Sequence, residues 1–459
     1  MSTLNVDKVD PQSGTALELG TSGDTVTVPS GVGLTLTDST LLLPTTITST
    51  TEVKTNKISP ATGTAFALGD SGDTFTVPSG ATIVNSGTAT GFGITSSSFL
   101  PTANPLIING NMAVAQRSTS VAAVVSGVHT LDRWGTNKQG SPGTWTQTQE
   151  SLSAADQATT GQKTALKMDC TTANSSLDAT DYLATVYSFE GQDLQVFKKG
   201  TSAAETMTIA FWVKSTKTGT YCIFLFDEDN SRMMSNSYTV DTTDTWEQKI
   251  FAVPADTTGA FGDDNGNSFQ IYFVTIAGSN FTSGSLATSW ATYSQVNEAT
   301  GQVNAGDSTS NNFHITGVQL EVGTYTSADL PPFRFESYSD NLQRCWRYFW
   351  ALCPADALSA NSRVGLGATL STTRIEVPCI FPVRMRTKPT LVSSGTVDDF
   401  YLYDLITNSE TTTGIGLTAS GSGAAQGVYH LCASGLTAGS ATQVLTGNTN
   451  ARLSFDSEF

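Results

Sequence analysis

Two segments near the start of the chain repeat each other almost letter for letter. Residues 8–31 and 57–80 are identical at 16 of 24 aligned positions, and each ends in the pattern GDTxTVPSG. The TVTV or TFTV within it alternates polar and apolar residues, which indicates a short β-strand, and Pro-Ser-Gly then ends the strand. One thin apolar edge per copy cannot form a core within a single chain, so this repeat constrains the fold more than any other feature.

Three parallel copies of the chain would give the repeat a shared core along a common axis. We therefore predict that residues 1–100 form the β shaft of a homotrimer. The alternative is a flexible linker, because these residues include 22 Thr and 13 Ser and no Trp, Tyr, Cys or His. A linker requires no strict repeat, so the near identity of the two copies favours the shaft.

Acidic residues outnumber basic residues in every part of the chain. The net charge is −17, divided into −5 for residues 1–100, −10 for 101–335 and −2 for 336–459. Nucleic-acid binding requires a cationic surface, and an acidic surface is repelled by anionic membranes. We therefore expect the chain not to bind nucleic acid. We also expect it not to insert into a membrane, since its apolar runs are far shorter than the ~20 residues that span a bilayer.

The N-terminal sequence MSTLNVDKVD lacks the apolar segment of a secretory signal, so we expect synthesis and assembly in a cytoplasm. The six cysteines include no Cys-x-x-Cys pair, which predicts buried free thiols rather than disulfides. The three histidines have no ligand-like spacing, so a zinc site is not expected.

Residues 101–335 have the pattern of an antiparallel jelly-roll sandwich. Strand-like stretches recur at short spacing between turns rich in Gly, Asn and Asp. The stretches are residues 206–215, 220–228, 247–255, 268–278 and 313–323. In the first of them, Phe211 and Trp212 point to opposite faces, so Trp212 lies away from the core that contains Phe211.

Residues 336–459 have the pattern of a smaller β-domain led by one helix. Apolar residues recur at helical spacing within ESYSDNLQRCWRYFWAL, and Ser339 or Asp340 can cap the start of this helix. Strand-like stretches follow to residue 459. The predicted fold class is therefore all-β, with a trimeric β shaft, an antiparallel jelly-roll sandwich and a C-terminal β-domain led by one short helix.

Several segments, taken in chain order, resemble those of bacteriophage proteins. NPLIINGNMAVAQRSTS (104–120), AFWVKSTKTGTY (210–221) and ITGVQLEVG (315–323) resemble the jelly-roll, carbohydrate-binding-module-like domain common in bacteriophage tail fibres. YSDNLQRCWRYFW (338–350) and IFPVRMRTKP (380–389) resemble the C-terminal tail-fibre domain that typically follows it. The GDTxTVPSG units are similar to the first residues of structural proteins of marine phages.

The resemblance implies a homotrimeric virion fibre that is attached through its N-terminus to the tail or to an adaptor protein. Its distal domains would meet the host cell surface, with residues 336–459 as the receptor-binding tip. The near-neutral charge of this region, −2, suits approach to an anionic bacterial envelope. The resemblance supplies no ligand residues, because sugar contacts differ between members of such folds.

Convincing catalytic motifs are absent from the sequence. Glycoside hydrolysis requires two carboxylates across a cleft. The acidic clusters are Asp227-Glu228-Asp229, Asp263-Asp264 and Asp398-Asp399, each in a context typical of a solvated turn or a strand end. His129, His314 and His430 lie in separate strand-like segments, and no Gly-x-Ser-x-Gly or phosphate-binding loop occurs. We expect the chain not to be an enzyme.

Asp263, Asn265 and Asn267 place side-chain oxygens at alternate positions, as at the start of a calcium-binding loop. The distal glutamate of such a loop is missing, and the Asn-Gly pair equally favours a hairpin turn. We expect no cofactor, and these three residues are the candidate ligands if calcium binds.

Aromatic rings that face solvent are candidates for receptor contacts, because the apolar faces of sugars stack on rings. The candidates are Trp212, and Tyr401 and Tyr403 beside Asp398 and Asp399. Packing in a core or between subunits is the competing interpretation for each ring.

These observations predict a homotrimeric phage fibre with a shaft (1–100), a jelly roll (101–335) and a distal β-domain (336–459). Its predicted function is adhesion to a glycan of the host surface. One alternative is a tailspike that degrades polysaccharide. Another is a purely structural collar or head appendage.

Overall fold

The computed structural model of the protein describes residues 104–353, 359–394, 399–405, 409–412, 424–432 and 435–459. The predicted shaft, residues 1–100, lies outside this part of the chain, so the shaft and the homotrimer stay predictions. The described residues form antiparallel sheets with a few short helices. The predicted all-β fold class is therefore confirmed.

Within the described residues, two six-stranded sheets form a sandwich. Its strands are β1 (Ser120–Val121), β2 (Trp134–Gln139), β3 (Thr144–Ser151), β4 (Thr164–Thr172), β5 (Tyr182–Glu190), β6 (Met207–Ser215), β7 (Gly219–Asp227), β8 (Arg232–Val240), β9 (Glu247–Val253), β10 (Asn267–Ala277), β11 (Ala291–Thr292) and β12 (Asn312–Val322). The strand order is β1-β3-β4-β12-β6-β9 in the first sheet and β11-β8-β7-β10-β5-β2 in the second. The chain crosses between the sheets repeatedly, as in a jelly roll.

The core of the sandwich follows from alternation along the strands. Phe211 on β6 and Phe273 on β10 point inward from opposite sheets, and their rings meet edge to face at 4.9 Å. Trp134 on β2 packs 6.0 Å from Phe273 and is fully buried. Trp212 lies on the outer side of the first sheet, as its position next to Phe211 predicts, and packs partly buried against a small cluster that contains Trp246.

The sequence did not predict two short helices that accompany the sandwich, α1 (Ala154–Thr160) and α2 (Ser279–Thr282). Residues 278–305, which include α2, cover one part of the outer side of the second sheet. There Phe281 packs 4.5 Å from Tyr182 on β5 and is buried. On the rest of that outer side, Phe226 and Tyr272 are partly exposed within the described part of the chain.

A third helix, α3 (Tyr338–Trp346), precedes the C-terminal sheets, as predicted. Its cap differs from the prediction of Ser339 or Asp340. The helix starts earlier, so Ser337 is the N-cap residue, and its hydroxyl accepts a hydrogen bond from the backbone N–H of Asp340 at 3.1 Å. No helix among the described residues is long and apolar enough to cross a membrane.

Two further sheets follow α3 in the described part of the chain. Their strands are β13 (Phe349–Cys353), β14 (Arg363–Ser371), β15 (Arg374–Ile380), β16 (Thr390–Ser393), β17 (Phe400–Asp404), β18 (Ser409–Thr412), β19 (Gln426–Cys432), β20 (Ala441–Thr446) and β21 (Leu453–Asp456). The orders are β13-β21-β16 and β18-β17-β20-β14-β15-β19. Their shared core includes Leu402, Val444 and Phe455.

Ion pairs with buried carboxylates join the sandwich to the C-terminal part of the chain. Arg347 donates from Nε to Oε1 of Glu190 at the end of β5, at 2.6 Å. Arg133 pairs with Glu458, and its guanidinium lies 3.4 Å from the centroid of the Tyr348 ring. The two parts are therefore joined by specific contacts. The predicted division at residues 335 and 336 stays a prediction.

Candidate functional site

The outer side of the second sheet carries four neighbouring aromatic rings, which we call the aromatic band: Phe224, Phe226, Tyr272 and Tyr293. The Phe224 ring lies 5.0 Å from Tyr272 and 5.9 Å from Phe226, measured between centroids. Tyr293, which follows β11, lies 5.1 Å from Phe226. Phe224 is buried, Phe226 and Tyr272 are half-buried, and Tyr293 is 39% exposed. The band therefore presents ring surface to solvent.

Alternation along β10 explains how the band forms. Phe269, Ile271 and Phe273 point into the core, so Gln270 and Tyr272 point outward. The register places Tyr272 opposite Phe224 on β7, which brings their rings together.

A cavity of about 290 Å³ adjoins Tyr272 on the side away from Phe226. Polar neutral side chains line it: Asn137, Ser188, Asn267 and Gln270. The Tyr272 hydroxyl donates to Oε1 of Gln270 at 2.9 Å, and Nε2 of Gln270 donates to the Ser188 hydroxyl at 3.0 Å. Such amides and hydroxyls offer both donors and acceptors to a polar ligand.

Gly135 on β2 opens the edge of this cavity. A Cβ at this position would lie 2.9 Å from Nε2 of His129, so a side chain there would displace the imidazole. Burial lowers the pKa of His129, which favours its neutral form. His129 therefore forms a wall that is uncharged near neutral pH.

Arg133 also lines the cavity, but its charge is already neutralised. The guanidinium pairs with Glu458 and donates to the carbonyl oxygen of Ser188. Burial opposes the charged form of Glu458, yet the charge of Arg133 outweighs it and lowers the pKa of that carboxyl to about 2. The cavity and the aromatic band together form a continuous surface, which we call the open face.

The sequence did not single out the aromatic band. The sequence predicts a strand over residues 268–278, and β10 confirms it. The sequence does not show, however, which residues cover the outer side of the sheet, and this cover decides whether the outward-pointing Tyr272 is accessible to a ligand. The available signal was the alternation of Gln270 and Tyr272 with large apolar residues.

The residues that the sequence proposed as receptor contacts lie elsewhere. Trp212 is on the outer side of the first sheet, and Tyr401 and Tyr403 lie half-buried on β17, opposite Leu445 and Gln443 of β20. The structure thus separates Trp212 from the two tyrosines.

Of the two aspartates proposed beside these tyrosines, the structure describes Asp399 but not Asp398. Asp399 is buried, and its Oδ1 accepts from Nδ2 of Asn448 at 2.9 Å. Asp398 lies outside the described residues. A receptor contact at these positions stays a prediction.

One of the three calcium candidates, Asn265, contacts Arg386 in the C-terminal part of the chain. Nδ2 of Asn265 donates to the carbonyl oxygen of Arg386 at 2.5 Å, and Arg386 donates back to the Asn265 carbonyl at 3.0 Å. Asp263 is exposed, and Asn267 begins β10. Within the described ranges, no group of three or more His, Cys, Asp or Glu side chains is arranged to hold a metal ion.

The acidic clusters considered for hydrolysis are spread over the surface and the interior. Asp227 is fully buried and pairs with Lys199 at 2.5 Å. Asp229 accepts from the backbone N–H of Gly262 at 2.7 Å, and Asp264 accepts from that of Gly266 at 2.8 Å. His314 is buried and lies 2.8 Å from Oε2 of Glu150 on the first sheet.

The sequence matches no protein-family model and no curated protein sequence. Solved structures with partial similarity include the enzymatically active domain of tailspike protein 4 of bacteriophage CBA120, at 11% identity and a TM-score of 0.24, over 44% of this chain and 21% of that one. The family 11 carbohydrate-binding module of Clostridium thermocellum Lic26A-Cel5E is 12% identical with a TM-score of 0.22, over 45% and 98%. The CBM22-1–CBM22-2 tandem domain of Paenibacillus barcinonensis Xyn10C is 10% identical with a TM-score of 0.23, over 75% and 98%.

This chain thus spans about a fifth of the tailspike domain that it resembles. At these TM-scores the similarities establish no shared fold. The jelly-roll assignment comes from the strand order of the chain itself.

Proposed function

We propose that this chain is a bacteriophage virion fibre that binds a glycan of the host cell surface through the open face, without cleaving it. The observation that carries the proposal is the junction of the aromatic band with a cavity lined by neutral amides and hydroxyls. Sugar rings present apolar C–H faces and polar edges, and both surfaces find partners here.

Binding at the open face would combine several weak contacts. Stacking on rings that are already held in place costs little conformational entropy. The hydroxyls of a sugar can exchange hydrogen bonds with water for bonds with Gln270, Ser188 and Asn137, which line the cavity. Individual sites of this kind are weak, and several copies on one particle raise the total affinity by roughly 10²–10⁴-fold.

The virion assignment draws support from the ordered segments that resemble tail-fibre proteins. The homotrimer draws support from the N-terminal repeat and from an apolar surface on the C-terminal sheet. Leu366, Leu370 and Ile380 point outward from β14 and β15 with 58%, 48% and 81% of their surface exposed. Exposed apolar surface on one sheet is typical of an interface, and we assign it to further copies of this chain.

The proposal is tested by electrophoresis of the full chain through gels that contain mixed-linkage β-glucan, xylan, dextran, alginate or bacterial O-polysaccharide. We expect at least one of these to retard the protein, and Tyr272→Ala to abolish the retardation. Tyr338→Ala is the matched control, because Tyr338 is 59% exposed on α3 and lies outside the open face.

Other outcomes decide between the alternatives. Loss of binding in Tyr401→Ala or Tyr403→Ala, with Tyr272→Ala unaffected, would place the receptor site in residues 336–459. New reducing ends in any of the polysaccharides would identify a degrading tailspike. A protein that is retarded by no polysaccharide of the panel would contradict the proposal.

A further inference from the structure

Tyr293 is the most exposed ring of the aromatic band and lies at its end. It follows the two-residue edge strand β11, and its backbone N–H donates to the carbonyl oxygen of Ser231 at 2.9 Å. Its ring touches the band along one side, near Phe226. An exposed ring in this position contributes to ligand stacking only if its orientation is fixed before the ligand arrives.

The Glu298 carboxyl fixes that ring. The Tyr293 hydroxyl donates to Oε1 of Glu298 at 2.7 Å. Glu298 follows the 3₁₀ turn Gln295–Asn297, which is itself fastened to the sheet, because the Ser235 hydroxyl donates to the carbonyl oxygen of Asn297 at 2.7 Å. Glu298 is 5% exposed, so its carboxyl has little freedom to move.

The surroundings of this carboxyl do not stabilise its charge strongly. In the part of the chain that the structure describes, the titratable groups that face it are three phenols: Tyr182 on β5, Tyr272 on β10, and Tyr293. Burial raises the pKa of all three phenols, so they stay neutral. A buried carboxylate without a cationic partner is costly for the fold, and its retention requires another reason.

We propose that Glu298 is a positioning residue for glycan binding, and that its ionised carboxylate holds the Tyr293 ring in the orientation that stacks on the ligand. This inference rests on the proposed glycan-binding function. A hydrogen bond from a phenol to a carboxylate is about twice as strong as one to a neutral carboxylic acid. The Tyr293 ring is therefore held more firmly when Glu298 has lost its proton.

The Glu298 carboxyl should lose its proton within the pH range in which binding can be measured. Burial raises the pKa of Glu298 to about 7, against the opposing effect of the hydrogen bond from Tyr293. Affinity for the ligand should consequently increase as the pH rises through about 7.

The experiment measures the affinity of the full chain for the panel polysaccharide that retards it most, at about pH 5 and about pH 8. We expect the wild type to bind roughly three- to tenfold more tightly at the higher pH. Glu298→Gln and Tyr293→Phe should each remove the pH dependence and bind as the wild type does at low pH. The double variant should show no further loss, because both changes break the same hydrogen bond.

Glu321→Gln is the control, since Glu321 is also a buried carboxyl with a raised pKa but lies on β12 of the other sheet. Its pH profile of binding should equal that of the wild type. If the wild type binds and both Glu298→Gln and Tyr293→Phe keep its full pH profile, the inference fails while the glycan-binding function stands. If the wild type binds no polysaccharide of the panel, both are overturned together.

Discussion

The ammonium of Lys199 lies 2.5 Å from Oδ2 of Asp227 and 3.0 Å from Oδ2 of Asp256, and all three side chains are buried. The backbone carbonyls of Thr258 and Gly259 accept two further hydrogen bonds from the same ammonium, at 3.1 and 2.8 Å. Asp227 is one of the carboxylates that the sequence offered for hydrolysis. Because its buried carboxylate pairs with the Lys199 ammonium, Asp227 contributes to the stability of the fold.

Replacing Lys199 by Met should destabilise the protein strongly, because the buried carboxylate of Asp227 loses its cation, while Asp256 keeps its ion pair with Arg232. We expect the free energy of unfolding to fall by about 3–5 kcal/mol, measured by chemical denaturation. Lys198→Met is the control, since the neighbouring Lys198 makes an exposed ion pair with Glu205 that is worth about 1 kcal/mol or less. Equal losses in the two variants would contradict the prediction.

Glu298→Gln should stabilise the protein at alkaline pH, although it weakens binding. The pKa of Glu298 is raised from 4.5 to about 7 in the folded state, so the folded state binds the proton more tightly than the unfolded chain does. Stability contributed by the proton is therefore present at low pH and lost as the pH rises toward 7. At about pH 8 the variant should gain roughly 2–3 kcal/mol in the free energy of unfolding.

At about pH 4 the Glu298→Gln variant and the wild type should unfold at the same denaturant concentration. A variant that is less stable than the wild type at both pH values would show that Glu298 supports the fold.

Glu458→Gln should give the opposite pH dependence. The pKa of Glu458 is lowered from 4.5 to about 2 in the folded state, so its charge stabilises the fold above pH 4.5 and this contribution is lost as the pH falls through 2. At about pH 7 we expect a loss of roughly 2–3 kcal/mol, which should shrink on acidification. Glu205→Gln, at an exposed ion pair, should change stability little at any pH.

Light scattering on the purified full chain should give a mass about three times 48.2 kDa, because the N-terminal repeat requires other copies for its core. Ile380→Asp should weaken this association, since it places a charge on the apolar surface of β15. An intact β-fold with the mass of a single chain would refute the homotrimer.

Local patterns were sufficient to predict five of the twelve strands of the sandwich. Alternation predicted β6, β7, β9, β10 and β12 almost residue for residue, because the period of two is a property of neighbouring positions. The same alternation placed Phe211 and Trp212 on opposite sides of β6.

The open face could not be predicted from local sequence patterns, because it depends on contacts between residues that are far apart in the chain. Tyr272 is accessible because residues 278–305 cover only part of the second sheet, and its ring meets Phe224 across two strands that are far apart in sequence. Glu298 and Tyr293 are close in sequence, yet their hydrogen bond depends on the turn at 295–297. The ion pair between Asp227 and Lys199 could not be predicted from the sequence either, since Lys199 lies on a separate loop.

The ion pairs that join the sandwich to the C-terminal sheets have a mechanical consequence. Arg347 with Glu190 and Arg133 with Glu458 bridge the two parts through carboxylates that are shielded from water, and salt weakens buried ion pairs less than exposed ones. A pulling force applied to the C-terminal sheets would pass directly to β5, whose outward residues form part of the open face. Under the proposed function, a particle tethered through that face would load β5 close to the end at which Glu190 makes the joint, and the bond to the cell and the joint within the protein would share the tension.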